Sequence, residues 1–324
     1  MTPPALRAVV FAYHNVGARC LRVLCAHGVE VALVVTHEDD PSEVQWFERV
    51  ADVADDAGLP WTAPVDVNVP EEIARITALQ PDFVFSFYYR RMLASALLAL
   101  PRRGALNMHG SLLPRYRGRA PINWAVLNGE RQTGVTLHYM IDKPDAGDIV
   151  AQQAVPILPD DTAQQVSDKV TVAAEICLDG VLPALLAGTA RRYVNDLAHG
   201  SYYGGRTPDD GRIDWSKSAR EIHNLVRAVA PPYPGAFTDL AGMPVRILRT
   251  RLLDPDAAPT APKLGVQITH PQSRDGNPAP ERPMLVAHCG GGGTLRIDAL
   301  EIAGQQCDVV SFRARFGDDP VAPG

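Results

Sequence analysis

The chain has 324 residues, 46% of them hydrophobic and 21% charged, with a formal net charge of −6 and a sequence pI of about 5.8. That length suits one large or two modest domains, and the acidic balance gives no support to nucleic-acid binding. No apolar run approaches the roughly 18 residues of a membrane span, and the five cysteines, without CxxC spacing, read as reduced buried thiols of a cytoplasmic protein.

Residues 6–12 form a first strand, 13–17 its turn, 18–27 a helix and 31–36 a second strand. This βαβ rhythm predicts a parallel sheet. The turn holds one glycine and no GxGxxG, so no dinucleotide site is expected. His14 in that turn is a turn residue first and a candidate to line the acceptor pocket second. A short acidic loop at 37–43 leads to an amphipathic helix over 44–57. A further helix spans 73–79. A buried, aromatic-rich strand at 82–89 runs into Arg90-Arg91-Met92-Leu93.

Gly104-Ala105-Leu106 then leads into Asn107-Met108-His109-Gly110-Ser111-Leu112-Leu113-Pro114. Side chains alternate on a strand, so Asn107 and His109 share one face while Leu106 and Met108 share the other. Ligands of open α/β sheets bind at such strand ends. Arg115, Arg117 and Arg119 follow, either as exposed arginines or as a clamp for an anionic ligand. The stretch 134–148 reads as a strand and a tight turn carrying Asp142 and Asp145, pairing antiparallel with 148–155. On that strand Val135, Leu137, Tyr139 and Ile141 share a face, and His138 on the other face reads as structural. Asp142 and Asp145 could be turn formers alone; the upstream Asn-x-His gives Asp145 a chemical reading. An amide can donate to a developing oxyanion, an imidazole can move protons, and a carboxylate beside it raises the imidazole's pKa. That set points to acyl transfer. No serine or cysteine stands beside a base, so the acceptor attacks directly, and no metal is expected.

Thr162-Ala163-Gln164-Gln165 is a capping box opening a long helix with apolar positions from Val166 to Leu185. The Gly-, Ser-, Asp- and Tyr-rich stretch 199–211 marks a boundary, giving domains 1–203 and 204–324. A helix at 219–230 precedes a rigid proline turn at 231–237 that reads as a lip of the site. Short strands at 245–252, 265–269, 284–288 and 294–302 suggest a small β-barrel. Residues 271–283 read as a polar loop and 317–324 as a loose tail.

The ungapped stretch 105–147, with Asn107-x-His109, the loop from Ser111 to Pro121 and the later Asp145, resembles the 10-formyltetrahydrofolate-dependent formyltransferases. The resemblance implies an α/β fold: a Rossmann-like, mostly parallel sheet with a smaller C-terminal OB-like β domain. It implies Asn107 as oxyanion donor, His109 as proton shuttle and Asp145 as the acid that tunes it. It places Arg91, Met92, Leu93, Arg119, Ile141, Asp142, Lys143 and Pro144 on 10-formyltetrahydrofolate. Tyr13, Ser111, Asn123, Trp124, Tyr203, Arg206 and Tyr233 become candidates for the acceptor. The relatives that formylate methionyl-tRNA have a long basic loop where this chain has Glu38-Asp39-Asp40, so tRNA is disfavoured as acceptor. Matches at 10–14, 85–90, 109–114, 118–121, 206–210 and 226–230 are most similar to the formyltransferase domain of enzymes acting on UDP-4-amino-4-deoxy-L-arabinose in lipid A modification. That sugar nucleotide is the implied acceptor, with dTDP- or GDP-linked amino sugars and methionyl-tRNA as alternatives. At this length there is no room for the decarboxylating domain those enzymes also carry, so a stand-alone formyltransferase is expected.

Overall fold

The computed structural model describes residues 6–41, 45–269 and 282–324. It divides into two compact units, one of Met1–Ile122, Gln132–Pro156 and Val166–Gly205, the other of Asn123–Arg131, Ile157–Gln165 and Arg206–Gly324. The start of the helix expected at 44–57, the end of the acidic loop, and 271–281 of the expected polar loop lie outside the described residues.

The first stretch of chain runs β1 (Arg7–Ala12), α1 (His14–Ala26), β2 (Glu30–Val35), α2 (Val50–Asp56), β3 (Trp61–Thr62), α3 (Pro70–Ala78), β4 (Phe83–Phe87), α4 (Ser95–Leu98) and β5 (Gly104–His109). It continues with β6 (Arg117–Gly118), α5 (Pro121–Leu127), β7 (Gln132–Tyr139), β8 (Ile149–Pro156), α6 (Ala163–Leu186) and β9 (Tyr202–Tyr203). Among the described residues, seven strands form a sheet in the order β3-β2-β1-β4-β5-β7-β8. Neighbours from β3 to β5 pair in parallel, and β7 and β8 join antiparallel. β1 and β4 are buried almost throughout, as strands covered on both faces must be. The chain leaves β1 toward β2 on one side and returns as β4 on the other, which makes the carboxyl ends of β1 and β4 a topological switch point.

Local chemistry corrects two expectations here. Residues 14–17 are not a turn but the first helical turn of α1. A Cβ on Gly17 would stand 3.1 Å from the Ala12 Cβ and 3.2 Å from the Phe87 carbonyl oxygen. That glycine serves close approach of helix to strand, not backbone freedom. α2 begins only at Val50. Trp46 and Phe47 lie ahead of it, their rings packed against His14 at centroid distances of 4.4 and 4.5 Å. α3 keeps Pro70 at its first turn with Glu71 and Glu72 beside it, as its macrodipole favours. In the acidic loop, Asp39 accepts hydrogen bonds from Tyr13, Gln45 and Arg49.

The second unit holds α7 (Ala219–Ala228), β10 (Ala236–Leu240), β11 (Met243–Asp254), β12 (Lys263–Thr269), β13 (Arg282–His288), β14 (Thr294–Ile302), β15 (Gln305–Cys307) and α8 (Val309–Phe316). Its antiparallel sheet has the order β10-β11-β14-β13-β12, with β15 beside β14. Val245, Ile247, Leu285, Ala287, Leu295 and Ile297 alternate inward to build its core. The tail expected to be loose is pinned. Val321 pairs with Leu264 of β12 and Pro323 with Leu240 of β10, so the segment ties together both edges of the sheet. An open edge offers unpaired N–H and C=O groups, and the tail satisfies them. Pro283, expected at the end of a loop, lies in β13 opposite Ile268.

Among the described residues, no helix is long and apolar enough to cross a membrane, and no group of three or more His, Cys, Asp or Glu is placed to hold a metal ion. The cysteines are free. Cys20, Cys177 and Cys289 are buried as expected, Cys307 is half-buried, and Cys25 is exposed.

Candidate active site

The site begins with cross-strand register. β5 and β7 pair Asn107 with His138 and His109 with Thr136. Side chains opposite one another share a face, so Asn107, His109 and His138 converge. The turn after β7 then brings Asp145 back over them. Asp145 has φ 50°, a left-handed conformation that aspartate tolerates. It is therefore both turn former and charge. The Asn195 side-chain amide donates to the Asp145 carbonyl at 3.0 Å and to the Gly147 carbonyl at 3.2 Å, fixing that turn.

His109 is buried, and its Nε2 lies 2.8 Å from the Tyr116 carbonyl oxygen. A carbonyl only accepts, so Nε2 carries a proton and donates it. Nδ1 is left as the nitrogen that can gain or lose a proton, and it faces Asp145 Oδ1 at 3.4 Å. Asp145 Oδ2 accepts from the Gly118 N–H at 2.9 Å. Burial alone would raise the Asp145 carboxyl, but the His109 charge when that ring is protonated, the neighbouring His138 ring and the Gly118 N–H outweigh it and hold it down, at about 2. It stays ionised. The expectation that Asp145 lifts His109 above its ordinary value needs correction. Burial is the larger influence and lowers the imidazole, with Asp145 and the Tyr116 carbonyl opposing. His109 thus rests neutral beside a carboxylate ready to stabilise its cation.

His138, expected to be structural, belongs to this cluster. Its Nδ1 lies 2.9 Å from the Tyr139 carbonyl oxygen, which assigns a proton there. Its Nε2 accepts from the Asn107 side-chain amide at 3.2 Å and stands 3.5 Å from Asp145 Oδ1. Asn107 keeps a second N–H. Strand alternation could have found His138 only if the register against Asn107 had been known.

The loop after β5 is held from beneath. The Thr136 hydroxyl donates to the Ser111 carbonyl at 2.7 Å and accepts from the Leu113 N–H at 3.0 Å and the Gln152 amide at 2.8 Å. Ser111 is fully buried, and its hydroxyl donates to the Arg115 carbonyl at 2.7 Å. That hydroxyl shapes the loop and faces no open space. Tyr13 is likewise buried, its hydroxyl on Asp39 at 2.9 Å and the Arg90 guanidinium 4.7 Å over its ring. Arg117 is buried 6.0 Å over the Tyr202 ring, whereas Arg115 and Arg119 are exposed. Tyr203 stacks on Tyr116 at 5.1 Å, and its carbonyl accepts from the Arg119 N–H at 3.0 Å.

The two segments expected to hold the folate meet each other. The Ser95 hydroxyl donates to Asp142 at 2.6 Å, tying the 91–95 stretch to the 141–144 turn. Asn68 donates to the Met92 carbonyl at 3.0 Å and accepts from the Ala94 N–H at 2.7 Å. Met92 is 61% exposed and Ile141 50% exposed, both large apolar side chains. Arg91 and Lys143 are exposed, Pro144 is half-buried, and Leu93 is buried in the core below.

Asn123, Trp124, Arg206 and Tyr233 lie in the second unit. The Asn123 amide donates to the Ala228 carbonyl at 2.9 Å. The Arg206 guanidinium lies 4.7 Å over the Trp124 ring and donates to the Asp210 carbonyl at 3.0 Å. Tyr233 packs against the core of that unit.

The family model for formyl transferase matches residues 10–182, and the model for formyl transferase, C-terminal domain, matches residues 206–316. Among solved structures, an N-formyltransferase from Helicobacter canadensis in complex with folinic acid and dTDP-3-aminofucose is 17% identical. The match covers 94% of this chain and 100% of that one, with a TM-score of 0.67. A sugar N-formyltransferase from a Shewanella species is 19% identical over 75% of this chain and 96% of that chain, at a TM-score of 0.60. HypX from Aquifex aeolicus in complex with tetrahydrofolic acid is 15% identical over 97% of this chain but 48% of that chain, at a TM-score of 0.60. At these identities the likeness is one of fold.

Proposed function

The chain belongs to the formyl transferase family, and from that premise we propose that it moves the formyl group of 10-formyltetrahydrofolate onto the amine of a nucleotide-linked amino sugar, UDP-4-amino-4-deoxy-L-arabinose. The observation that carries the chemistry is the convergence of Asn107, His109 and Asp145, with His109 Nδ1 directed at an ionised carboxylate. The folate supplies an electrophilic formyl carbon. Asn107 holds one N–H on His138 and keeps the other for charge developing on the formyl oxygen. His109 Nδ1 takes the proton lost by the attacking nitrogen, Asp145 stabilises the imidazolium so formed, and the same proton is returned to the departing nitrogen. Met92 and Ile141 cover an apolar ring, while Arg91, Lys143 and the exposed Arg119 are available to anionic groups.

The acceptor reading rests on the local sequence matches, on the acidic 37–40 loop, which would repel tRNA phosphates, and on the sugar-nucleotide ligand of the Helicobacter canadensis relative. Incubation with 10-formyltetrahydrofolate and a panel of nucleotide amino sugars, read by mass, tests the transfer itself. The finer assignment needs kcat/KM for the arabinose sugar against dTDP-linked amino sugars and methionyl-tRNA. A competitor used at least about tenfold better, roughly 1.4 kcal/mol of transition-state binding, overturns it.

A further inference from the structure

His14 and Tyr88 are non-glycine residues in left-handed backbone, at φ 65° and 58°. They stand side by side because β1 and β4 pair Ala12 with Phe87 and the Tyr13 N–H donates to the Phe87 carbonyl at 3.0 Å. Strained residues of this kind persist where the surroundings hold them, and they cluster at ligand sites. Both sit at the switch point between β1 and β4.

The His14 ring is stacked on Phe47 and edge-on to Trp46, with the Tyr88 ring tilted to it at 6.3 Å. Its Nδ1 is buried without a hydrogen-bond partner. A buried polar atom left unpaired costs about 1–3 kcal/mol, so such an atom asks for a partner. Burial, and then the Arg90 charge, push the imidazole down to about 4, so it is neutral at working pH. With the proton on Nε2, Nδ1 is an acceptor suited to an uncharged hydroxyl, not to an anion.

Tyr88 links this ring to the chemistry. Phe87 pairs with Met108, so Tyr88 runs abreast of His109. A Cβ on Gly110 would stand 2.2 Å from the Tyr88 hydroxyl oxygen. The phenol therefore occupies the space a side chain would take next to His109.

We propose that His14 and Tyr88 form the wall that reads the sugar ring of the acceptor, His14 Nδ1 accepting from a ring hydroxyl and Tyr88, seated on Gly110, limiting the size of ring admitted beside His109. This rests on the acceptor reading above and deepens it. A bulky substituent such as a 6-deoxyhexose methyl meets the phenol, and a pentose ring does not.

The test compares wild type with His14→Phe, His14→Asn and Tyr88→Asn in steady-state kinetics, using 10-formyltetrahydrofolate with the UDP-linked 4-amino pentose and a dTDP-linked 4-amino-6-deoxyhexose. Phe keeps the ring and deletes Nδ1. Asn accepts the left-handed backbone and serves if the Phe variant does not fold. Either His14 variant is expected to lose about 10–100-fold in kcat/KM for the pentose nucleotide, mostly in KM, with the folate KM within about twofold. Tyr88→Asn is expected to raise the hexose-to-pentose ratio of kcat/KM by about fivefold or more, one methyl being worth roughly 10–200-fold at most. Sugar KM values unchanged in the His14 variants, a shift falling on the folate KM, or an unchanged ratio in Tyr88→Asn each overturn the proposal while the transfer reading stands. Wild type inactive with every sugar nucleotide ends the acceptor reading, and this wall with it.

Discussion

At the carboxyl ends of β1, β4 and β5 the first unit buries what proteins usually leave wet. His109 and His138 are almost wholly enclosed, Asp145 is ionised between them, and His14, Tyr88 and Asp145 adopt left-handed backbone. The sheet of the second unit does the reverse. Its interior is mostly apolar by alternation, the buried Thr238 and Thr250 hydroxyls being satisfied by Trp215 and His223, and the ion pairs Arg246–Glu301, Arg251–Asp298 and Arg296–Asp298 lie on the outer face. Its left-handed non-glycine residues, Ala241 and Ala303, sit in hairpin turns. Left-handed backbone and an ionised aspartate thus meet at one sheet end, as expected where binding energy, not packing, must be served.

The largest effect that would sharpen this contrast is His109→Ala. Removing the proton carrier should cut turnover by about 10²–10⁴-fold while thermal unfolding stays cooperative; a variant with near wild-type kcat would remove the buried cluster from the chemistry. Asn107→Ala should follow, with about 10²–10³-fold lost from kcat and little change in either KM, because the amide serves charge that develops only in the transition state. An effect confined to KM would make it a binding group.

Arg227 tests the second unit at its own polar centre. Its buried guanidinium donates to the carbonyls of Val126, at 3.2 Å, and Asp161, at 3.3 Å, and to the Asn224 side chain at 3.0 Å. Arg227→Met leaves those acceptors unpaired and should cost about 2–4 kcal/mol in denaturant unfolding. A loss below about 1 kcal/mol would mean that apolar alternation alone holds the unit.

Asp145→Asn bears on pH. Asp145 raises His109 against the lowering effect of burial. Without the charge the imidazole falls further, so the acid limb of kcat/KM should move to lower pH; an unmoved limb would reduce Asp145 to a turn former. Stability follows the same sign. A carboxyl held at about 2 in the fold stabilises above its ordinary unfolded value near 3.9, and that contribution drains away as pH falls from there through about 2. The Asn variant should show a flatter acid unfolding curve in that window. Arg251→Ala should matter least, within about 0.5 kcal/mol, since exposed pairs contribute little; a larger loss would break the distinction between the two regions.

Sequence by itself determined a good deal. The βαβ rhythm, the antiparallel β7–β8 pair, the Thr162–Gln165 capping box and the 294–302 strand are local patterns, set by periodicity and capping within a few residues. Asn107, His109 and Asp145 were legible as a candidate set because an amide and an imidazole two apart on a strand announce shared chemistry. What only tertiary structure decided depends on groups distant in the chain. The place of His138 follows from strand register, which alternation within one strand cannot fix. Asn195 reaches the Asp145 turn from 50 residues away. The tail gains order only because two sheet edges need partners. The balance on His109 turned on burial, and the depth to which a side chain is buried is a property of the packed whole, not of its neighbours in sequence.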